Sequence, residues 1–154
     1  MSEYSYSAEK MALPRGLIFA MAVASLLFAG ATVLYSRSNR YVDISCPDRI
    51  VSQPGQGLVV PVRLYNKGRA NYTSAEKYFL SGKLTFGEGG TPLDLPRMNL
   101  ELGPGERLSE NLIFAAPMSP GTYNVQVDIV KEGAFWLSDE GNKAASLRLD
   151  VKGE

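Results

Sequence analysis

Histidine is absent from the sequence, and cysteine occurs only once, as Cys46. Without histidine, Ser-His-Asp and Cys-His catalytic arrangements are impossible, and the most common zinc ligand is missing. A single cysteine cannot form an internal disulfide, which excludes the bridge between sheets found in antibody domains. We expect Cys46 to be a packed or idle thiol, with acylation, metal binding or redox chemistry as the alternatives.

Sequence patterns for phosphate and nucleic-acid binding are also missing. The sequence has no P-loop, and the glycine cluster at 87–90 lies between predicted strands, where it is typical of a turn. Lysine plus arginine and aspartate plus glutamate each number 16, so the net charge is zero and no basic nucleic-acid surface is indicated.

Carboxylates are the remaining candidates for catalysis. Two-carboxylate chemistry could in principle use a pair drawn from four acids near one predicted turn. These are Asp128, Glu132, Asp139 and Glu140. Acids at strand ends and turns are usually solvated, and a catalytic pair also needs a concave site and perturbed pKa values. We therefore predict that the protein is not an enzyme and holds no cofactor or metal.

One uncharged apolar stretch, residues 16–35, has the length of a membrane span. A helix of that length rises about 30 Å, the thickness of the hydrocarbon core of a bilayer. It follows a polar leader at 1–15 and precedes a short basic linker at 36–40. A cleavable signal peptide is the alternative, since 29–31 has a small-x-small cleavage pattern. Because the apolar run continues past that pattern and the leader contains acids, we predict an uncleaved anchor.

The orientation of this anchor is not decided by charge. Lys10 and Arg15 precede the span, and Arg37 and Arg40 follow it, so the positive-inside comparison is a tie. Export of the C-terminal domain by a signal anchor is more plausible than export of so short a leader. This predicts a span in the inner membrane, with the N-terminus in the cytoplasm and the domain on the extracytoplasmic (periplasmic) side.

Small residues form a ridge along the predicted span. Gly16, Ala20 and Ala24 recur at intervals of four, and such ridges let helices in membranes approach closely. The alternative is that alanine is simply common in spans. If the ridge is a packing seam, the helix docks on a larger integral-membrane protein.

Residues 41–154 read as one all-β domain. Alternating apolar residues predict seven strands, which are 41–44, 57–66, 78–86, 93–95, 107–115, 122–131 and 144–151. Turn residues separate these strands at the spacing of an antiparallel β-sandwich. The fold class predicted is therefore an Ig-like antiparallel β-sandwich preceded by one transmembrane α-helix.

Aromatic side chains near the last predicted turn are the best candidates for recognition. Phe135 and Trp136, the only tryptophan, precede that turn, where an aromatic can stack on a sugar or anchor a protein. The alternative is that either ring closes the open end of the core. Tyr72 is the third aromatic that we expect on the same surface.

Five segments occur in the order found in a bacterial Ig-like domain of cell-envelope and glycan-assembly proteins. They are 62–68, 93–97, 102–106, 116–123 and 128–136. The last, Asp-Ile-Val-Lys-Glu-Gly-Ala-Phe-Trp, is the most specific. In these segments the chain resembles the carbohydrate-binding domain of O-antigen ABC transporters. That resemblance implies a β-sandwich of the bacterial envelope and, for Trp136, Phe135 and Tyr72, a glycan-binding platform.

Two functions follow from these observations. The first is a non-catalytic single-pass membrane accessory subunit, whose helix docks on a larger membrane complex and whose sandwich makes protein contacts outside the cytoplasm. The second is a membrane-tethered module that binds envelope polysaccharide. An exposed sheet edge would also permit a partner to add a strand, and the sequence does not identify which edge is open.

Overall fold

Two packed β-sheets form most of the part of the protein that the computed structural model describes, residues 41–87 and 89–153. The strands of this part are β1 (Val42–Ser45), β2 (Arg49–Ser52), β3 (Gly57–Asn66), β4 (Tyr72–Thr73), β5 (Tyr78–Phe86), β6 (Leu93–Asp94), β7 (Met98–Asn99), β8 (Glu101–Leu102), β9 (Arg107–Ala115), β10 (Gly121–Lys131), β11 (Phe135–Trp136) and β12 (Ala145–Val151). Two short 3-10 helices, Ser74–Glu76 and Leu137–Glu140, lie before β5 and β12.

The strand order is that of an immunoglobulin-like sandwich. The smaller sheet has the order β1-β3-β9, and the larger has β2-β12-β10-β5, with β6 and β7 on β5 and β11 on β10. In immunoglobulin nomenclature, β1, β3 and β9 therefore correspond to strands A, B and E of one sheet. The strands β5, β10 and β12 correspond to C, F and G of the other. Among the described strands, none fills the position of strand D beside β9, and this leaves one side of β9 without a partner strand.

Alternation places the core between the sheets. In β3, Val60 and Val62 are fully buried, whereas Val59 is 60% exposed. In β10, Val125 and Val127 are fully buried from the other side. Each such side chain contributes roughly 1.5–3 kcal/mol by leaving water. Because the period is two, the sequence pattern predicts the bounds of β3, β5 and β9 and, for β3, the face that is buried.

The prediction of purely antiparallel pairing is wrong for β2, which runs parallel to β12. The chain leaves β1 in the smaller sheet, turns at Cys46 and Pro47, and joins the edge of the larger sheet at Arg49. Four residues carry too short a pattern to predict this strand. Its pairing depends on contacts with β12, about a hundred residues away, such as the Arg49–Asp150 hydrogen bond.

The predicted membrane span and its ridge of Gly16, Ala20 and Ala24 lie outside the described residues. Within the described part of the chain, no helix is long and apolar enough to cross a bilayer.

Candidate functional site

The segment predicted to carry recognition forms a hairpin followed by a 3-10 turn. β11 pairs with the end of β10, so that Lys131 lies opposite Phe135 and Val130 opposite Trp136. Gly133 makes the turn with φ = 73°, in the left-handed region that glycine adopts without steric cost. The hairpin holds both predicted aromatic residues at one end of the larger sheet.

The two aromatic residues of the hairpin have different surroundings. Phe135 is half-buried and packs against the core, as the alternative prediction of an end cap requires. Trp136 is also half-buried, and the Lys83 ammonium lies 4.5 Å from the centre of its ring. A cation at this distance is attracted to the face of the ring. One face of Trp136 is therefore occupied by the protein itself.

Tyr72 does not share this surface, which corrects its assignment to an exposed aromatic platform. Its side chain is fully buried, and its ring meets that of Tyr78 edge-on at 5.2 Å. The reason is that β4 pairs with β8, placing Tyr72 opposite Leu102 inside the sandwich. Two-residue strands leave no periodic signal, so the sequence did not show this burial.

Asp128, in the centre of the most specific sequence segment, is a buried structural acceptor. Its carboxylate accepts hydrogen bonds from the backbone N–H of Ile129 at 2.7 Å and of Ser138 at 3.0 Å. Burial raises the pKa of Asp128 above its ordinary value, while the bonds from Ser138 and Ile129 lower it. The carboxylate thereby ties β10 to the 3-10 turn that follows Trp136.

Two neighbouring acids also bind structural groups. Glu132 forms an ion pair with Arg97, and Asp139 accepts a hydrogen bond from the backbone N–H of Trp136 at 3.1 Å. These three acids, Asp128, Glu132 and Asp139, therefore stabilise the hairpin and the 3-10 turn that follows it.

A second carboxylate, Asp150, organises the outer face of the larger sheet. It accepts hydrogen bonds from Arg148 at 3.0 Å, Thr122 at 2.8 Å and Arg49 at 2.6 Å. These bonds lower the pKa of Asp150 from 3.8 to about 2, and the bond from Arg148 contributes most to this shift. The cluster joins the edge strand β2 to β12 and β10.

We expect Asp150→Asn to destabilise the fold at neutral pH and to lose that effect in acid. A carboxylate with a lowered pKa stabilises the folded state above its unfolded pKa, and this stabilisation disappears as the pH falls from 3.8 to about 2. Urea unfolding of both proteins between pH 2 and 7 measures the difference. A difference that does not change with pH would show that the charge of Asp150 has no role.

Cys46 lies where the chain passes between the sheets, beside a shallow groove of about 310 Å³ that Pro61 and Arg63 also line. The thiol is half-buried, and burial raises its pKa, with a further contribution from the nearby Asp48. The reactive thiolate is therefore disfavoured.

Most of the large apolar side chains that are exposed in the described residues lie toward the end of the sandwich opposite Tyr41. We call this group the apolar end, and it consists of six side chains between 49% and 77% exposed, Val51, Val59, Phe86, Leu93, Ile113 and Met118. Of the large exposed apolar side chains in the described residues, only Tyr41 lies elsewhere.

Contacts between strand ends bring these residues together. Gly57 pairs with Ala115, which places the start of β3 beside the end of β9. The backbone N–H of Lys152 bonds to Ser52, and a side chain at Gly121 would meet the Phe86 ring, so both sheets end at this surface. The sequence patterns did not predict this site. Its signal is the absence of charged residues from 51–62 and from 111–127.

No protein-family model matches the chain. No curated protein matches it in sequence either. Among solved structures, the CARDB domain of a Pyrococcus furiosus protein has 19% identity and a TM-score of 0.49, covering 75% of this chain and 96% of that domain. A Niemann-Pick type C2 protein from the Japanese carpenter ant has 7% identity and a TM-score of 0.47, covering 73% and 92%. These values are too low to support any inference about function.

Proposed function

We propose that the protein is a non-catalytic accessory subunit of a larger integral-membrane complex. Residues 16–35 anchor it in the inner membrane, with Gly16, Ala20 and Ala24 against a helix of the partner. The sandwich lies outside the cytoplasm and contacts the same complex. The observation that carries this proposal is the apolar end, because six large apolar side chains exposed toward one end of a small domain are more than single scattered ones and favour cover by a partner.

The composition of the apolar end favours a protein partner. It combines a phenylalanine and a methionine, residue types enriched in protein interfaces, with the uncharged segments 51–62 and 111–127. Charged side chains are depleted at the centres of such interfaces, since their desolvation is costly. Phe86, Leu93 and Met118 are each at least 60% exposed and can enter apolar depressions of the partner.

The tethered glycan-binding module is less well supported by the same residues. A sugar platform needs aromatic faces open to solvent. Tyr72 is in the core, Phe135 packs on the core, and the Lys83 ammonium lies over the ring of Trp136. Trp136 therefore fits a structural role better than that of a platform.

Purification of the tagged full-length chain in mild detergent tests the proposal. We expect a stoichiometric integral-membrane partner with the wild-type protein and a loss of about tenfold or more with Met118→Glu combined with Leu93→Glu. Burying two new charges in an apolar interface is strongly unfavourable.

The matched control is Ser109→Glu, which adds a charge to an exposed position of β9 outside the apolar end. This variant is expected to retain the partner. Recovery of the wild-type protein as a free monomer, or equal recovery of the partner with all variants, would contradict the proposal.

A further inference from the structure

One long sheet edge of the sandwich has no hydrogen-bonded partner strand among the described residues, although β7 lies close to part of it. β9 has nine residues and pairs only with β3 among the described strands. The other sheet edges are short, because β1 and β2 have four residues each and β6 and β7 two each. Short edges are a common protection against unwanted pairing. At about 3.4 Å per residue, β9 offers an edge of about 30 Å.

The hydrogen bonds at the two ends of the β3–β9 ladder show which groups of β9 point outward. Ala116 N–H bonds to Gln56 at 2.8 Å, and Asn66 N–H bonds to Glu106 at 3.0 Å. Both pairs continue the register of the ladder. In antiparallel pairs, bonded and non-bonded positions alternate. The even-numbered residues of β9 therefore bond to β3, and the odd-numbered residues direct their backbone N–H and C=O groups to the open edge.

In the second half of β9 the outward residues are Asn111, Ile113 and Ala115. All three are exposed. In the described part of the chain, no backbone or side-chain hydrogen bond reaches them from outside the ladder. These backbone groups can hydrogen-bond to an added strand without breaking any bond of the sandwich.

Elsewhere proline or charge interrupts the open edges. The start of β3 extends beyond β1, and its outward backbone positions there are Gly57, Val59 and Pro61, of which Pro61 has no N–H to donate. The first half of β9 carries Arg107, and Glu110 stands in the row of β9 that faces the core. An inward-pointing charge is a further device against pairing. The second half of β9 has neither proline nor charge.

The side chains beside this edge are apolar. Ile113 lies directly opposite Val59 in a non-bonded pair, and the two are 51% and 60% exposed on the outer face of the sheet. A strand added beside Ile113 would place a third side chain next to Val59 and Ile113 on the outer face of the sheet. The neighbours of that side chain would be uncharged. A charged side chain there would lose water without gaining a partner.

We infer that the edge Asn111–Ala115 of β9 binds an extended, uncharged segment of the partner protein by strand addition. The inference rests on the proposed function and specifies how the apolar end contacts the partner protein. Backbone hydrogen bonds align the segment, and apolar side chains at alternate positions pack beside Ile113 and Val59.

The topology favours a different protein over a second copy of this chain. Two β9 edges related by a two-fold axis pair antiparallel. Because Tyr41 lies at the end of the sandwich opposite the apolar end, the two copies of Tyr41 would lie at opposite ends of the joined sheet. Two chains anchored in one bilayer through the proposed span must both direct Tyr41 toward that bilayer, and the antiparallel dimer does not allow this. A strand from a separate partner imposes no such requirement.

Amide hydrogen exchange tests the inference on the full-length protein, alone in detergent and in the complex with its co-purified partner. In the free protein, only the even-numbered amides in 111–115 are expected to be protected. In the complex, the odd-numbered amides in this segment should exchange at least about tenfold more slowly. The segment 107–109 of the same strand serves as the internal reference.

Two proline variants provide the matched comparison. Ile113→Pro removes an outward N–H from the proposed site, and Ser109→Pro removes one from the first half of the strand, each without loss of a ladder bond. We expect Ile113→Pro to reduce partner recovery about tenfold or more and Ser109→Pro to leave it within about twofold. Ile113→Thr, which retains the N–H, should remain within about threefold of wild type.

The outcomes separate the inference from the proposed function. A partner that co-purifies without protecting 111–115 overturns the inference and leaves the function standing. Absence of any partner overturns both. Protection in a preparation that contains only this chain would assign the edge to a second copy and overturn the assignment to a partner strand. If Ile113→Pro unfolds, Trp136 fluorescence would report it. The exchange measurement on the wild-type complex would then still show whether the partner protects 111–115.

Discussion

Tyr72→Ala is expected to lower the free energy of unfolding by about 3–5 kcal/mol, which is the usual cost of removing a large buried aromatic ring. Tyr72 is fully buried and meets Tyr78 edge-on, so truncation removes both packing and an aromatic pair. Urea unfolding of the full-length protein, followed by the fluorescence of its single tryptophan, measures this change.

Trp136→Ala is the comparison that separates core from surface. Trp136 is half-buried, and the Lys83 ammonium lies over its ring. This variant, followed by circular dichroism because it removes the fluorophore, should cost clearly less stability than Tyr72→Ala. A Tyr72→Ala protein as stable as wild type would place Tyr72 on the surface and restore it to the aromatic platform.

Asp128→Ala is expected to cost about 2–4 kcal/mol at pH values below 4. Removal of the carboxylate leaves the buried N–H of Ile129 and the half-buried N–H of Ser138 without their acceptor. A buried donor left unsatisfied costs about 1–3 kcal/mol, and the half-buried one costs less. The 3-10 turn Leu137–Glu140 should loosen, which increased proteolysis or amide exchange in this segment would report.

The pH dependence of this effect has the opposite sign from that of Asp150. Because burial raises the pKa of Asp128, the folded state binds its proton more tightly than the unfolded state does. The stabilisation by Asp128 is therefore complete below the unfolded pKa of 3.8 and declines as the pH rises through the folded pKa. The difference between wild type and Asp128→Ala should shrink over that range. A difference that grows with pH would show that the ionised form is the stabilising one.

The principal strands could be predicted from sequence because period-two alternation reports burial directly. β3, with Val60 and Val62 inside and Val59 outside, shows this pattern without interruption. β2 and β4 could not be predicted in this way. Their residues are placed by pairing with β12 and β8, which are distant along the chain, and strands this short have no pattern of their own.

The candidate site was predictable only in part. Phe135 and Trp136 do lie on a hairpin, but sequence could not show that Lys83 covers one ring and the core the other. The apolar end was missed because its members come from separate strands that meet only when the sheets pack. Ile113 and Val59, for example, are far apart in sequence and directly opposite in the sheet.

The proposed contact surface has two parts with different chemistry. Met118 and Phe86 offer apolar side chains, which provide buried area. The edge at Ile113 offers backbone hydrogen bonds, which fix the direction and register of a partner segment. Together they would give this small sandwich both affinity and orientation on its complex.

Oxidative footprinting of Met118 in native membranes tests most directly whether the apolar end is covered. Met118 is 77% exposed in the sandwich, so the free protein in detergent should be oxidised there rapidly. If a partner covers the apolar end, oxidation in membranes should be at least about fivefold slower at Met118 and unchanged at the half-buried Met98. Equal oxidation of Met118 in membranes and in the free protein would contradict the proposal that this surface is an interface.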